Sequence, residues 1–143
     1  MNRYRILPHT ADGKFEAFGK TLEEACGNAA LALASLMWDW SKIEPRIEHL
    51  VHVEGLDREQ LLVKFLGEIV YLFETRQFLL GRVSRIVIRP HLDGFALDAA
   101  LGGETLASGH EITGDVKAVT YHELAIEDDW PGGGWRVQAV VDM

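Results

Sequence analysis

The sequence is poor in cysteine and contains no long apolar run. Its single cysteine, Cys26, excludes an internal disulfide bond, and its place in an Ala- and Leu-rich run predicts a small core residue. No apolar run approaches the roughly 20 residues that a membrane-spanning helix requires. The N-terminus shows no apolar signal segment either, so we expect a cytoplasmic protein with no membrane partner.

Positive charge is also scarce. The chain of 143 residues has 14 Lys and Arg against 22 Asp and Glu, a formal net charge of -8. Because nucleic acids are bound largely through neutralisation of their phosphates, this balance disfavours strong direct RNA or DNA binding. A basic protein partner or a divalent cation suits such a surface better.

The patterns that are present indicate one α+β domain spanning residues 1–143. Hydrophobic residues make up 48% of the chain and charged residues 25%, which is sufficient for a packed core. The capping box Thr21–Glu24 begins a helix that is predicted to run to Trp38. Asp57 caps a second helix, in which apolar residues recur every three or four positions from Leu61 to Phe73.

Alternating apolar and polar residues predict the strands. The predicted strands are Tyr4–Leu7, Lys14–Phe18, Ile47–Val53, Arg82–Arg89, Phe95–Leu101, Val116–Ile126 and Trp135–Val141. Asp93-Gly94 is a hairpin signal, and the turn-forming run Asp128–Gly134 predicts a loop that joins the last two strands. The predicted architecture is two main helices packed on a largely antiparallel β-sheet.

Asp12 and Asp142 are the best candidates for cation ligands. Asp12 falls in a predicted polar turn, His9–Gly13, and Asp142 precedes Met143, which adds the terminal carboxylate. Hard cations such as Ca²⁺ and Mg²⁺ take carboxylate and carbonyl oxygens as ligands. If the last strand ends beside that turn, these groups form an oxygen-rich cluster. The alternative is a solvated chain end.

Lys117 is a candidate neighbour of Asp142. If the final hairpin closes near Trp130–Pro131, Asp142 lies opposite Thr120. Lys117 is then on the order of 10 Å away along the sheet, close enough to shape the same polar site. The alternative is a lysine on a solvated strand face.

Other chemical patterns are weaker. His49 and His52 are three residues apart, so on a strand they are predicted to face opposite sides and not to form a zinc pair. The serines have no nucleophile-elbow context. The glycine run Gly132–Gly134 leads into a strand, which predicts a hairpin tip and not a phosphate-binding loop.

Several segments, in order and over nearly the whole chain, resemble the archease family. They are His9–Asp12, Phe15–Gly19, Thr21–Ala25, Leu61–Glu68, Tyr71–Glu74, Val116–His122 and a closing strand that ends in Asp142. The sequence departs from the family at Gly13-Lys14, where an apolar residue followed by a small one is usual. The resemblance implies an archease-like fold.

The resemblance also implies an accessory protein of tRNA splicing and RNA repair, not an enzyme. The implied partner is the GTP-dependent RNA ligase that joins 3′-phosphate or cyclic-phosphate ends to 5′-hydroxyl ends. Archease-like proteins promote guanylylation of the ligase's active-site histidine and support its multiple turnover. The family's metal site corresponds here to Asp12, Asp142 and Met143, with Ca²⁺ as the expected ion, and Lys117 falls in a region tied to activity. A protein-binding chaperone and a small metal-dependent phosphoesterase are the alternatives.

Overall fold

The computed structural model describes residues 2–8 and 12–143. The helices are α1 (Leu22–Ser35) and α2 (Arg58–Arg76). The strands are β1 (Tyr4–Leu7), β2 (Gly13–Gly19), β3 (Ile47–Gly55), β4 (Phe78–His91), β5 (Gly94–Thr105), β6 (Ala118–Trp130) and β7 (Gly134–Asp142). Short 3-10 turns lie at Trp40–Lys42 and Leu106–Ser108.

The strands form two antiparallel sheets. One has the order β1-β2-β7-β6 and the other the order β3-β5-β4. Helix α1 packs on β2, β7 and β4, and α2 packs on β3, β5 and β6, so the helices join both sheets around a common hydrophobic cluster. This confirms the predicted α+β fold with two main helices and antiparallel pairing.

Helix α1 is buried on nearly every side, as its composition requires. The Thr21 hydroxyl accepts a hydrogen bond from the Glu24 backbone N–H at 3.1 Å, which confirms the predicted start of the helix. Cys26 is 2% exposed, and burial raises the pKa of its thiol to about 12. The thiol is therefore protonated at neutral pH, and the prediction of a core cysteine is confirmed.

The end of α1 differs from the prediction. The helix ends at Ser35 and not at Trp38, because the backbone N–H groups of Leu36 and Met37 donate to carbonyls only three residues earlier, those of Leu33 and Ala34, which tightens the last turn. The chain then turns, and the Trp38 indole N–H donates to the Leu80 carbonyl of β4 at 2.9 Å. This buried contact with a distant strand is absent from any local pattern.

Helix α2 agrees with its predicted start and its apolar stripe. The Asp57 carboxylate accepts from the Gln60 backbone N–H at 2.7 Å, and the helix ends where Gln77 takes a left-handed conformation with φ 54°. The residues buried along one side include Leu61, Phe65 and Ile69. Of the helices in the described part of the chain, neither is long and apolar enough to cross a membrane.

The final hairpin is longer than predicted. Strand β6 continues to Trp130 and β7 begins at Gly134, so the predicted loop Asp128–Gly134 is wrong apart from a tight turn. In that turn the Gly133 backbone N–H donates to the Trp130 carbonyl at 2.9 Å. Glu127 pairs with Arg136 and Trp130 with Gly134, and these pairs on either side of Asp128 and Asp129 extend the strand across residues that otherwise favour turns.

The four-stranded sheet has an inner and an outer face. Phe15 and Ala17 of β2 point towards the helices and are fully buried, as is Val137 of β7. The alternate residues, including Glu16 and Arg136, lie on the outer face. The candidate residues at the ends of β2, β7 and β6 are therefore displayed at one end of this sheet.

Candidate functional site

Three neighbouring strands bring the candidate residues together. The register pairs Gly13 of β2 with Val141 of β7. Asp12 comes one residue before Gly13, and Asp142 comes one residue after Val141. On the other side of β7, Asp142 pairs with Ala118, the first residue of β6. Directly opposed residues of antiparallel strands have Cα atoms about 4.5–5.5 Å apart. The strand register thus brings the two aspartates to the same end of the sheet.

Lys117 lies closer to Asp142 than the sequence predicted. Its backbone N–H donates to the Asp142 carbonyl oxygen at 2.8 Å. The predicted pairing of Asp142 with Thr120 is wrong, because Thr120 pairs with Val140. The Lys117 side chain is exposed, immediately before β6.

A large bulge in β6 explains why Asp142 pairs with Ala118 and not with Thr120. Thr120 pairs with Val140, and the next pair is Ala125 with Gln138, so that residues 121–124 of β6 face the single residue 139 of β7. Glu123 within the bulge adopts a left-handed conformation with φ 52°. Counting residues back from the hairpin tip cannot reveal these additional residues.

The bulge also adds groups to the outer face that sequence reasoning missed. The Glu123 carbonyl accepts from the Gln138 side chain at 2.8 Å, and its carboxylate lies 3.4 Å from the Lys14 ammonium. Lys14 is two residues from Asp12 in the chain and pairs with Val140 of β7. The only sequence signal for this arrangement is the run of polar residues from Thr120 to Glu123, which interrupts the alternation of the strand.

Met143 packs under this end of the sheet. A side chain added at Gly13 would lie 2.7 Å from Leu36 Cδ1 and 3.1 Å from Met143 Sδ. One added at Gly114 would lie 2.1 Å from the Leu36 carbonyl oxygen and 3.2 Å from Met143 Cε. Two glycines therefore let the main chain approach Leu36 and Met143 closely.

The Gly114 contact gives a stability prediction. Gly114→Ala is expected to lower the free energy of unfolding by about 2 kcal/mol, because the new methyl group overlaps a backbone carbonyl that cannot rotate away. Gly67→Ala is the matched control, since no atom lies within 4 Å of the added carbon. Because Gly67 lies in the middle of α2, Gly67→Ala should raise the free energy of unfolding by about 0.5–1 kcal/mol. Urea unfolding of both variants tests the pair, and equal stability would contradict the close approach.

The oxygen atoms at this end of the sheet are of the type that binds hard cations, but few of them belong to side chains. Asp12 and Asp142 each carry a carboxylate, and the main chain of Met143 carries a carbonyl oxygen. Within residues 2–8 and 12–143, no group of three His, Cys, Asp or Glu side chains could hold a metal ion. An ion here would take its remaining ligands from the main chain and from water, which is common for Ca²⁺ and Mg²⁺.

The predicted turn His9–Gly13 is only partly testable. His9–Ala11 lie outside the described residues, whereas Asp12 is partly buried and Gly13 begins β2. The prediction that His49 and His52 face opposite sides of their strand is confirmed. His49 stacks edge-on against Phe78, and His52 hydrogen-bonds Asp98 on the exposed face.

A buried carboxylate holds two arginines in the middle of the outer face. Glu16 is 3% exposed and accepts from Arg136 Nε at 2.6 Å and from the Arg5 guanidinium. Burial alone would raise the pKa of Glu16, but the hydrogen bonds from Arg136 and Arg5 outweigh it and hold the pKa below its ordinary value of 4.5. Glu16 thus stays ionised and organises the outer face. No local pattern in the sequence pairs it with Arg136.

Comparison with known proteins gives consistent matches. Residues 4–143 match the model of the Archease protein family (MTH1598/TM1083). Protein archease of Methanosarcina mazei is 37% identical over 142 residues, covering 99% of this chain and 96% of that protein. Protein archease of Pyrobaculum calidifontis is 42% identical over 144 residues, covering 98% and 95%. The solution structure of Methanobacterium thermoautotrophicum protein 1598 matches with a TM-score of 0.84 at 33% identity, covering all of both chains.

Proposed function

The chain belongs to the archease family, and from this membership we propose that it is an accessory protein that activates a GTP-dependent RNA ligase. In this proposal it promotes guanylylation of the ligase's active-site histidine and supports repeated turnover. Family membership supports the broader role of an accessory protein in RNA processing. The relatives described above carry the name archease and not the name of an enzyme, which is consistent with a helper without catalysis of its own.

The observation that carries the proposal is the meeting of Asp12, Asp142 and Lys117 at one end of the four-stranded sheet. Asp142 is exposed, and its carbonyl oxygen is fixed by the Lys117 backbone N–H. This end can therefore enter a cleft in a partner as a rigid tip, held by three paired strands. We name the region formed by Asp12, Lys117, Asp142 and Met143 the acidic tip.

The charge of the acidic tip determines which partner it can approach. Two aspartates and the terminal carboxylate repel the phosphates of GTP and of RNA, and Lys117 offsets only part of that charge. A divalent ion, which we propose to be Ca²⁺ held by Asp12, Asp142 and Met143, would supply positive charge for phosphate oxygens. In this proposal the carboxylates position the ion, the Met143 side chain packs near Gly13 and Gly114, and Lys117 orients the contact with the ligase. The guanylate remains on the ligase.

Multiple turnover of the ligase tests this proposal. With an excess of RNA ends over ligase, a substoichiometric amount of this protein should convert a single round of joining into repeated rounds. Joining that stays limited to one round would contradict the proposal. Retention of unrelated unfolded proteins in solution would then favour a chaperone, and hydrolysis of a phosphate ester by the protein alone would favour a phosphoesterase.

The chain end allows a second test. Deleting Met143 is expected to abolish activation, because it moves the terminal carboxylate and removes the side chain that packs near Gly13 and Gly114. Adding one glycine after Met143 keeps the side chain and displaces only the carboxylate. If the carboxylate is a ligand, the extended chain should lose activation and keep its thermal unfolding midpoint. Full activation by the extended chain would remove Met143 from the ligand set.

A further inference from the structure

A pocket lies at the end of the four-stranded sheet that is opposite the acidic tip. It has a volume of about 500 Å³ and is lined by Asn2, Arg5, Phe18, Trp130, Pro131 and Gly132. Along β7 this end is eight residues from Asp142, which corresponds to roughly 25 Å at about 3.3 Å per residue. The pocket is therefore separate from the acidic tip, and the proposed activation of the ligase does not use it.

The aromatic wall of the pocket is held in place before any ligand arrives. Trp130 is the first residue of a tight turn. The ring of Pro131 restricts the φ angle of that residue, and Gly132 has φ 102°. The hydrogen bond from the Gly133 N–H to the Trp130 carbonyl closes this turn, which has the residue pattern of type II. The Trp130 ring centroid lies 6.2 Å from that of Phe18 and 5.2 Å from the Arg136 guanidinium carbon. Little side-chain freedom is left to lose when a ligand stacks on this ring.

The polar wall offers hydrogen-bond donors in a fixed position. Arg5 is anchored through the buried Glu16 carboxylate, yet its side chain is 65% exposed. A guanidinium has five N–H donors, more than one carboxylate oxygen can occupy, so others remain for a ligand. The Asn2 side chain adds an amide at the same pocket. Aromatic rings beside a rigid guanidinium and an amide suit a flat ligand that carries hydrogen-bond acceptors on its edge.

We propose that this pocket binds a single nucleobase, with guanine preferred. Unpaired bases stack on aromatic side chains, and Trp130 with Phe18 provides such a surface. A guanidinium can donate two parallel hydrogen bonds to O6 and N7 of guanine, an acceptor pair that the other bases lack. The volume of the pocket is within the range of small-ligand sites.

The charges around the pocket imply recognition of the base and not of the phosphate. The single negative charge of Glu16 offsets one of the two positive charges of Arg5 and Arg136. The Glu127 carboxylate lies 3.5 Å from Arg136. With a net charge of -8 over the whole chain, phosphate contacts add little. Binding should therefore depend weakly on salt, in contrast to phosphate-driven binding, whose affinity falls steeply as salt rises. A site for one base is compatible with weak overall binding of RNA.

NMR titration of the full chain with GMP, AMP, CMP and UMP, at low and at physiological ionic strength, tests this proposal. We expect GMP to shift the Trp130 indole and Asn2 amide signals at the lowest concentration, with similar affinity at both ionic strengths. Trp130→Leu should weaken GMP binding roughly 5-fold or more, the loss of one stacked base. Arg5→Lys keeps the charge and should abolish the preference for guanine. Tyr121→Leu, which removes an exposed aromatic ring elsewhere, should leave binding unchanged.

The source of the base is distinguished by repeating the titration with short single-stranded RNAs that end in guanosine. Tighter binding of the RNA than of GMP would identify a strand end, and tighter binding of GMP would identify a free nucleotide. Absence of shifts at Trp130 with millimolar GMP would overturn the proposal. Equal shifts from N-acetyltryptophanamide would also overturn it, since they would indicate a contact for a partner's aromatic side chain. Neither result bears on ligase activation, which is measured separately.

Discussion

Asp142→Asn is expected to reduce activation of the RNA ligase at least about 10-fold while the fold stays intact. The substitution keeps the size of the side chain and removes its charge. Asp142 is exposed, and its main-chain carbonyl keeps the hydrogen bond from Lys117, so little stability should be lost. A ligand carboxylate, by contrast, loses its attraction for a divalent ion when it becomes an amide. The rate of ligase guanylylation at saturating divalent metal measures the effect.

The control for this variant is Asp93→Asn. Asp93 is an exposed aspartate in the β4–β5 turn and belongs to the other sheet, so the change in net charge is the same at a distant site. Activation by Asp93→Asn should equal that of the unmodified chain. Equal losses in both variants would point to net charge, and unchanged activation by Asp142→Asn would remove Asp142 from the functional site.

Glu16→Gln is expected to have the largest effect on stability, lowering the free energy of unfolding by about 3 kcal/mol. Glu16 is 3% exposed and is shared by Arg5 and Arg136, of which Arg136 is only 12% exposed. Glutamine has one acceptor oxygen in place of two, so both arginines lose their counter-charge and one of them faces an NH2 donor instead of an acceptor. Chemical unfolding followed by circular dichroism gives the free energy.

Glu127→Gln is the matched control, because it removes a carboxylate that faces the same arginine. Glu127 lies 3.5 Å from Arg136 and is 47% exposed, so the cost should be below about 1 kcal/mol. A loss as large as that of Glu16→Gln would contradict the role of burial.

The pKa of Glu16 also predicts how stability depends on pH. Since the folded-state pKa lies below the ordinary 4.5, ionised Glu16 contributes its full stability above about pH 4.5. That contribution is lost as the pH falls through the lowered pKa. The difference in unfolding free energy between the unmodified chain and Glu16→Gln should therefore shrink on acidification below pH 4.5. A difference that stays constant down to strongly acidic pH would contradict the pKa shift.

Much of the fold could be predicted because local signals control it. The Thr21 and Asp57 caps begin both helices, and Asp93-Gly94 lies at the β4–β5 turn. The errors arose where distant contacts override local preference. The Trp38 indole bonds the Leu80 carbonyl of a distant strand, and the pairs that Glu127 and Trp130 make with β7 extend β6 across its acidic residues.

The sequence predicted candidate residues for the proposed site but not the strand register around them. The last strand ends beside the start of β2, which is the condition under which the sequence predicted that Asp12 and Asp142 share one end of the sheet. The position of Lys117 depends on a bulge whose additional residues have no counterpart in β7, and hairpin counting assumes a regular ladder. The Glu16–Arg136 pair joins residues far apart in the chain, so only the tertiary fold brings them together.

Guanylylation of the ligase histidine is the most direct test of the central claim. Ligase, GTP and divalent metal would be mixed with this protein at substoichiometric amounts, and the covalent guanylate on the ligase followed over time. The proposed function predicts clear acceleration by the unmodified chain and by Asp93→Asn, and none by Asp142→Asn. Equal rates of guanylylation with and without the protein would contradict it.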